Sequence, residues 1–517
     1  MKKRIILTFL SVALLLGRCS LVENPAFLSN ESVYGHLGNA QSAVNGIYDG
    51  MAQGNLYGNQ YVWITNIHSG FMVTKRMGND PTSYWNSNWT RLRPVSNEAF
   101  MSTAWQGLYR TINFTNNAIH YVQTYDVNST SATELGFNDV AGHAYLVRGL
   151  LYFNLVRLWG EVPLRIDLPS AENIDMAVSP EKDIYAQIIS DAQNASTLIN
   201  GAMGVGYPKQ YAANMLLAKV YMQLATAPAD VQNGKSSAEY WQLAYDEAKK
   251  VYGQYKLVND YADLFHNNGN SDNTSESIFE IQFSVVQSRT HVKQYTPSNY
   301  ISVPTNGWMR AHADVYDLHE ATYPGDPRIA STFLGGYTKA DGTVQRGYPD
   351  PKPRPGGFGA GFPYIFKYAL KDQSATLTNN DGNYIIFRYA DLLLMLAEIS
   401  NELQNGEQLG YVTEVLDRVG MAPQAGYMGD QASFRDAIMK EYQFELLAEG
   451  HDWFNYRRRG YDYFLKNVIE PHNYFVEDPD GIFNHNKDYD LEFFTDESMV
   501  MHLPIPDDEI RVNGLIN

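Results

Sequence analysis

Cysteine is all but absent from this chain of 517 residues: the single one is Cys19. The body that follows it therefore has no disulfide to staple it, no thiolate nucleophile and no cysteine ligand for a metal. Long hydrophobic runs are missing as well. The largely apolar stretch from Ile5 to Leu16 falls short of the roughly 20 residues that span a bilayer, and nothing later approaches that length. Positive charge is scarce, with 39 Lys and Arg against 57 Asp and Glu for a formal charge of −18. That balance argues against a nucleic-acid partner. Aromatic residues, by contrast, reach 13% of the chain, with 37 Tyr, 23 Phe and 8 Trp. The core takes most of them; in an exported protein the surplus points to flat recognition surfaces.

Export is written at the N-terminus. Lys2, Lys3 and Arg4 precede the apolar stretch, and Gly17, Arg18 and Cys19 follow it, which is the layout of a bacterial signal peptide. Removal of residues 1–18 leaves a mature chain of 19–517, strips four basic and no acidic residues, and takes the charge from −18 to −22. Cys19 then becomes the new N-terminus and the expected lipidation site. Leu16 and Gly17 fit the sequence that precedes such a cysteine; Arg18 departs from it.

Helical spacing is strong over about 97–252 and 385–460. Leu151, Leu155 and Leu158 fall at i, i+4 and i+7, with Gly160 and Pro163 as the stop. Segment 209–225 interleaves Ala212, Ala213 and Ala218 with Leu216 and Tyr221, as closely packed helical repeats do, yet no clean 34-residue period emerges. Irregular repeats and a plain helical bundle both remain open. Between 255 and 384 the pattern changes: Glu276–Phe283 alternates like a strand, and Pro349, Pro351, Pro353 and Pro355 punctuate a loop-rich stretch. The chain thus divides into an N-terminal helical part (19–254), a loop-rich insertion (255–384) and a C-terminal helical part (385–517).

Three blocks are specific enough to compare. GHAYLVRGLLYFNLVRLWGEVPL (142–164), FRYADLLLMLAEISNEL (387–403) and MKEYQFELLAEGHDWFNYRRRG (439–460), closed by HLPIPDDEIRVNGLIN (502–517), resemble the SusD/RagB family in order along the chain. Segments 40–51, 105–119 and 260–284 fit as well. The resemblance implies a mainly α fold of irregular tetratricopeptide-like helical repeats with a loop-rich ligand-binding subregion. It implies a cell-surface role: binding oligosaccharide or polysaccharide and delivering it to a SusC-like, TonB-dependent outer-membrane transporter, without catalysis. The same fold binding peptides or another non-sugar nutrient is the alternative, and a hydrolase is a third. Within the blocks, Arg388 with Asp391, and Glu445 or Glu449 with Arg457 and Arg458, are expected to be paired charges that lock helices rather than ligand contacts.

No catalytic or metal set stands out by spacing. His319-Glu320 lacks the second histidine of a zinc helix; Gly356–Gly361 lacks the Lys-Ser or Lys-Thr of a phosphate loop; Asp478–Gly481 lacks the flanking ligands of a calcium loop. No cofactor and no metal are expected. A sugar needs aromatic planes and planar polar groups, and two segments outside the blocks supply both. The first holds Tyr84, Trp85 and Trp89 beside Arg91; the second holds Asn306, Trp308 and Arg310. These seven residues are the expected ligand site, with Tyr61 and Trp63 in reserve.

Overall fold

The computed structural model describes residues 29–74, 87–284, 290–349, 362–376, 378, 381–475, 487 and 490–516. The export signal, Cys19, Tyr84, Trp85, Gly356–Gly361 and Asp478–Gly481 lie outside the described residues. Helix begins earlier than the strong periodicity indicated, with α1 (Leu37–Ala52) and α2 (Gln60–Ile67), followed by the short strand β1 (Met72–Thr74). The main series is α3 (Ala99–Tyr121), α4 (Ala132–Trp159), α5 (Glu181–Leu198), α6 (Gln210–Thr226) and α7 (Ser237–Val251). Local chemistry sets their ends. Ser131 caps α4 by accepting from the Glu134 N–H, and Gly160 stops it at φ +73. Ser236 and Glu239 form a reciprocal capping box on α7.

Each helix of this series packs on the next, α3 on α4 through to α6 on α7. Leu151, Leu155, Leu158, Leu216 and Val220 are fully buried between them, each worth about 1.5–3 kcal/mol of transfer from water. Small residues bring the helices close: Ala212, Ala213 and Ala218 have no exposed surface. At Gly142 a Cβ would lie 2.8 Å from the Ile199 backbone nitrogen, so α4 crosses the end of α5 nearly backbone to backbone.

The insertion carries β2 (Ser277–Ile281), β3 (Met309–Ala311), α8 (Ala313–Thr322), β4 (Phe333–Leu334) and β5 (Tyr364–Ile365), then β6 (Tyr384–Arg388) returns the chain to the helices. The strand read at 276–283 is β2, which pairs antiparallel with β6. A second, four-stranded antiparallel sheet runs β1-β3-β5-β4. Three further helices, α9 (Tyr389–Leu403), α10 (Gln408–Arg418) and α11 (Gln431–Leu446), complete the scaffold; α9 packs on α7, so the helical series resumes across the insertion. The fold is mainly α with tetratricopeptide-like packing, and among the described residues no helix is long and apolar enough to cross a membrane.

Buried charges do lock these parts together, through partners other than those read from the blocks. Arg388 reaches Glu276 at 2.7 Å, Glu445 at 2.6 Å and Glu449 at 2.7 Å, not Asp391. Asp391 takes Lys219 at 2.7 Å. Arg328 adds Asp326, Glu441 and Glu445, and Arg418 adds Glu276 and Glu445. Arg458 pairs with Glu398, while Arg457 donates to the carbonyls of Val500 and His68. The pairs differ because the geometry joins the insertion to the helices, whereas the blocks are contiguous only in sequence. Removing one partner of such a buried group strands the others and costs about 3–5 kcal/mol.

Candidate functional site

The group containing Asn306, Trp308 and Arg310 is built around β3. The Asn306 and Trp308 N–H groups donate to the carbonyls of Lys293 and Gln294 at 3.0 and 2.8 Å, and the Asn306 side chain donates to the Gln294 amide oxygen at 2.7 Å. Between them Gly307 takes φ +55, and a Cβ there would sit 2.8 Å from the Tyr364 ring and 2.9 Å from Pro297 Cα. Only glycine fits that left-handed, crowded position. Arg310, paired with Val73 on one side and Tyr364 on the other, donates from Nη2 to the Tyr364 hydroxyl at 2.8 Å and lies 3.8 Å over its ring. Burial depresses the guanidinium below its ordinary pKa, against the opposing influence of Tyr364 and Tyr337.

Trp308 is half-buried and meets the core residue Trp63 edge to face, which in turn meets half-exposed Phe100. From Tyr364 a run of rings continues through Tyr337 to half-exposed Tyr300 and Phe366, each step between 5.6 and 5.7 Å. β3 and the residues leading into it thus gather a partly exposed indole, a stacked guanidinium, an amide and further rings. Sequence reasoning missed Gln294 and Tyr364, whose roles come from strand pairing and loop closure, not from any local pattern.

The first expected segment divides. Tyr84 and Trp85 are not among the described residues; the chain leaves the sheet at Thr74, which pairs with Met309, and is described again from Ser87. The Thr74 N–H donates to Thr90 Oγ1 at 3.4 Å, so both flanks of that segment meet beside β3. Trp89 is fully buried, edge-on to His68, and has no face for a ligand. Arg91 is committed to the C-terminal segment through Asp490 at 2.8 Å, the Glu492 carbonyl at 3.2 Å and the Phe494 ring. Trp89 is thus a core residue, a correction that its burial imposes on the sequence reading, while half-buried Arg91 keeps its contacts with the C-terminal segment. Tyr61 and Trp63 are core residues too, only 4% and 1% exposed.

Volume and chemistry do not coincide. A cleft of about 770 Å³ opens elsewhere, lined by Tyr207, Tyr255, Phe279, Glu280 and the glycines 201, 204 and 206, and it holds none of the expected residues.

Comparison with known proteins bears on the whole chain. Residues 221–517 match the family described as "SusD family", and residues 29–222 match "Starch-binding associating with outer membrane". SusD-like protein P2 of Formosa agariphila is 27% identical over 501 residues, covering 91% of this chain and 94% of that protein. The fold superposes on a SusD homolog from Bacteroides thetaiotaomicron with a TM-score of 0.77 at 19% identity, covering 96% of this chain and 99% of that one. It superposes on a structure determined with xylogluco-oligosaccharide with a TM-score of 0.71 at 19% identity, covering 92% and 97%. With a family match over more than half its length, on a helical scaffold with the architecture of its solved relatives, this chain belongs to the SusD family.

Proposed function

We propose that this chain holds an oligosaccharide or polysaccharide at the outer face of the outer membrane, anchored through Cys19, and passes it to a SusC-like TonB-dependent transporter without cleaving it. The observation that carries the reading is Trp308 leaning out of the core immediately before the strand that holds Arg310, with Asn306 one glycine away. One partly buried aromatic platform contributes about 1–2 kcal/mol to a sugar complex. A micromolar complex needs about 8 kcal/mol. Several platforms and hydrogen bonds must therefore act together, which favours an extended glycan over a monosaccharide. Tyr84 and Trp85 remain part of the proposal, because their segment is flanked by Thr74 and Thr90 beside β3.

Two facts support holding rather than hydrolysis. The family includes a starch-binding description, and a structural relative was determined with xylogluco-oligosaccharide. Carboxyls tuned near neutrality belong to the scaffold: burial pushes Asp452 and Glu181 up to about 7, Asp452 accepting from the Ala448 N–H in the core and Glu181 opening α5.

The test is binding of purified protein to a panel of polysaccharides and peptides, comparing Trp308→Ala, Arg310→Ala and Trp85→Ala, with product release followed in parallel. Undiminished glycan binding in all three would sink the site. Peptide binding in place of glycan would move the reading to the other nutrient class, and turnover abolished by one substitution would overturn the non-catalytic role. Co-purification with the transporter barrel tests delivery.

A further inference from the structure

Directly beyond β3 the chain gathers three metal-binding side chains that no local spacing advertises. His312 follows the strand, and Asp314 lies in the first turn of α8. His472 comes from a short helix, α12 (Glu470–Asn473), far along the sequence. One ligand atom from each lies within 4.8 Å of the others. Both histidines are buried, at 0% and 1% exposure. Their rings sit 4.3 Å apart at 70°, and Phe493 stacks on His472 at 3.7 Å while meeting His312 edge-on.

The hydrogen bonding of His472 carries the argument. Its Nε2 faces the Leu491 carbonyl oxygen at 3.2 Å, and since a carbonyl only accepts, Nε2 is the protonated nitrogen that donates. Its Nδ1 faces Asp314 Oδ2, which can only accept, at 2.9 Å; with Nε2 already protonated, Nδ1 either carries a second proton or meets that oxygen lone pair to lone pair. Two acceptors at that distance require a cation between them, either a proton or a metal ion. Metal-bound histidines characteristically donate their other N–H to a carbonyl or carboxylate, which fixes the tautomer and the direction of the ligating nitrogen. Leu491 does this here. His312, held by its backbone N–H donating to the Phe71 carbonyl at 3.1 Å, brings a second imidazole to the same point.

We propose that His312, Asp314 and His472 form a mononuclear site for a divalent transition metal of the zinc class. Two imidazoles and one carboxylate are a borderline donor set that suits zinc or its neighbours, whereas calcium and magnesium demand oxygen throughout. Bonds of about 2.0–2.2 Å are reached by small side-chain movements from the present spacing. A cavity of about 360 Å³ lies against the cluster, lined by Gly70, Phe71, Asp314 and His472 among others. The ion would tie the end of β3 to α12 and to the segment around Leu491.

The test uses mature-length protein without a histidine tag, stripped by chelator, desalted and titrated with zinc chloride while elemental analysis follows retained metal. One equivalent retained per chain, with a rise in Tm, is expected. Asp314→Asn and His312→Ala should each weaken retention at least tenfold, while His266→Ala, a partly exposed histidine elsewhere, should leave it unchanged. Cobalt substitution of the wild-type protein gives a readout independent of how well the variants fold, through visible absorption bands of a nitrogen-ligated ion. No retained metal and no cobalt spectrum would mean that a proton alone bridges His472 and Asp314. Retention indifferent to both site variants would place the metal elsewhere; either result overturns the proposal.

Discussion

Trp308 meets Trp63 edge to face, their centroids 6.2 Å apart and their planes at 84°. One indole is wholly interior and the other leans out from it. Trp308→Ala is therefore expected to remove a ligand platform while leaving the interior ring in place. Glycan affinity should fall about 5- to 30-fold, the equivalent of about 1–2 kcal/mol, with a shift in Tm of only a few degrees. Isothermal titration alongside thermal unfolding separates the two effects.

Trp89→Ala should do the reverse. Its ring is fully buried against His68, so truncation opens a cavity and costs about 3–5 kcal/mol of stability. The urea midpoint should drop steeply, while the fraction that remains folded binds glycan as before. A loss of affinity without a loss of stability would return Trp89 to the ligand site.

Gly307→Ala tests how the site is positioned. The left-handed backbone costs an alanine about 1–2 kcal/mol, and its methyl would press on Tyr364 and Pro297. Arg310 stacks on that same Tyr364 ring. The expected outcome is weaker glycan binding although no side chain facing the ligand has changed; unchanged binding would show that the Asn306–Arg310 geometry is not critical.

The two extremes of buried carboxyl behaviour predict opposite pH responses. Burial alone would raise Glu398, but Arg458 and Arg459 outweigh it and hold the group at about 2. Its folded pKa is depressed, so its contribution, about 3 kcal/mol, is present above pH ~4.5 and lost as the pH falls toward 2. Glu398→Gln should flatten the acid limb of the stability curve in that window and lower Tm at neutral pH.

Asp452 runs the other way. Burial pushes it up to about 7, against the Ala448 N–H and the charge of Lys367. A raised acid destabilises the fold as it ionises, so stability should fall as the pH climbs from about 4 through 7. Asp452→Asn, which keeps an acceptor for the Ala448 N–H, should raise Tm at pH 8 and raise it by much less at pH 5. Thermal scans at the two pH values decide it.

Helices were the most legible feature of the sequence. The i, i+4, i+7 leucines of α4 and the small residues of α6 report packing that is local in origin, and β2 showed its alternation plainly. Partnerships were not legible. Arg388 lies 112 residues from Glu276 and 57 from Glu445, and only the folded chain makes them neighbours. The same limit explains Trp89 and Trp308: each sits among polar residues in a loop-like sequence, and what separates core from surface is the tertiary environment. The His312, Asp314 and His472 cluster escaped notice for that reason, since spacing rules recognise only ligands carried on one or two elements.

One further property follows from α7 and α9 lying side by side. The Gly253 N–H donates to the Tyr389 hydroxyl at 3.2 Å, and the Tyr389 N–H to the Glu276 carbonyl at 2.9 Å, so the residues that open the insertion and those that close it meet at a single seam. Because the entropy of closing a loop grows only slowly with its length, the loops of the segment spanning that seam can lengthen or shorten at little cost, so long as Glu276, Asp326, Arg328 and Lys367 keep their buried partners. The helical stack is then a chassis to which the insertion is tied at fixed charged points, with loops of variable length between them. A lineage carrying it can rewrite those loops while the charged contacts to the helices stay the same.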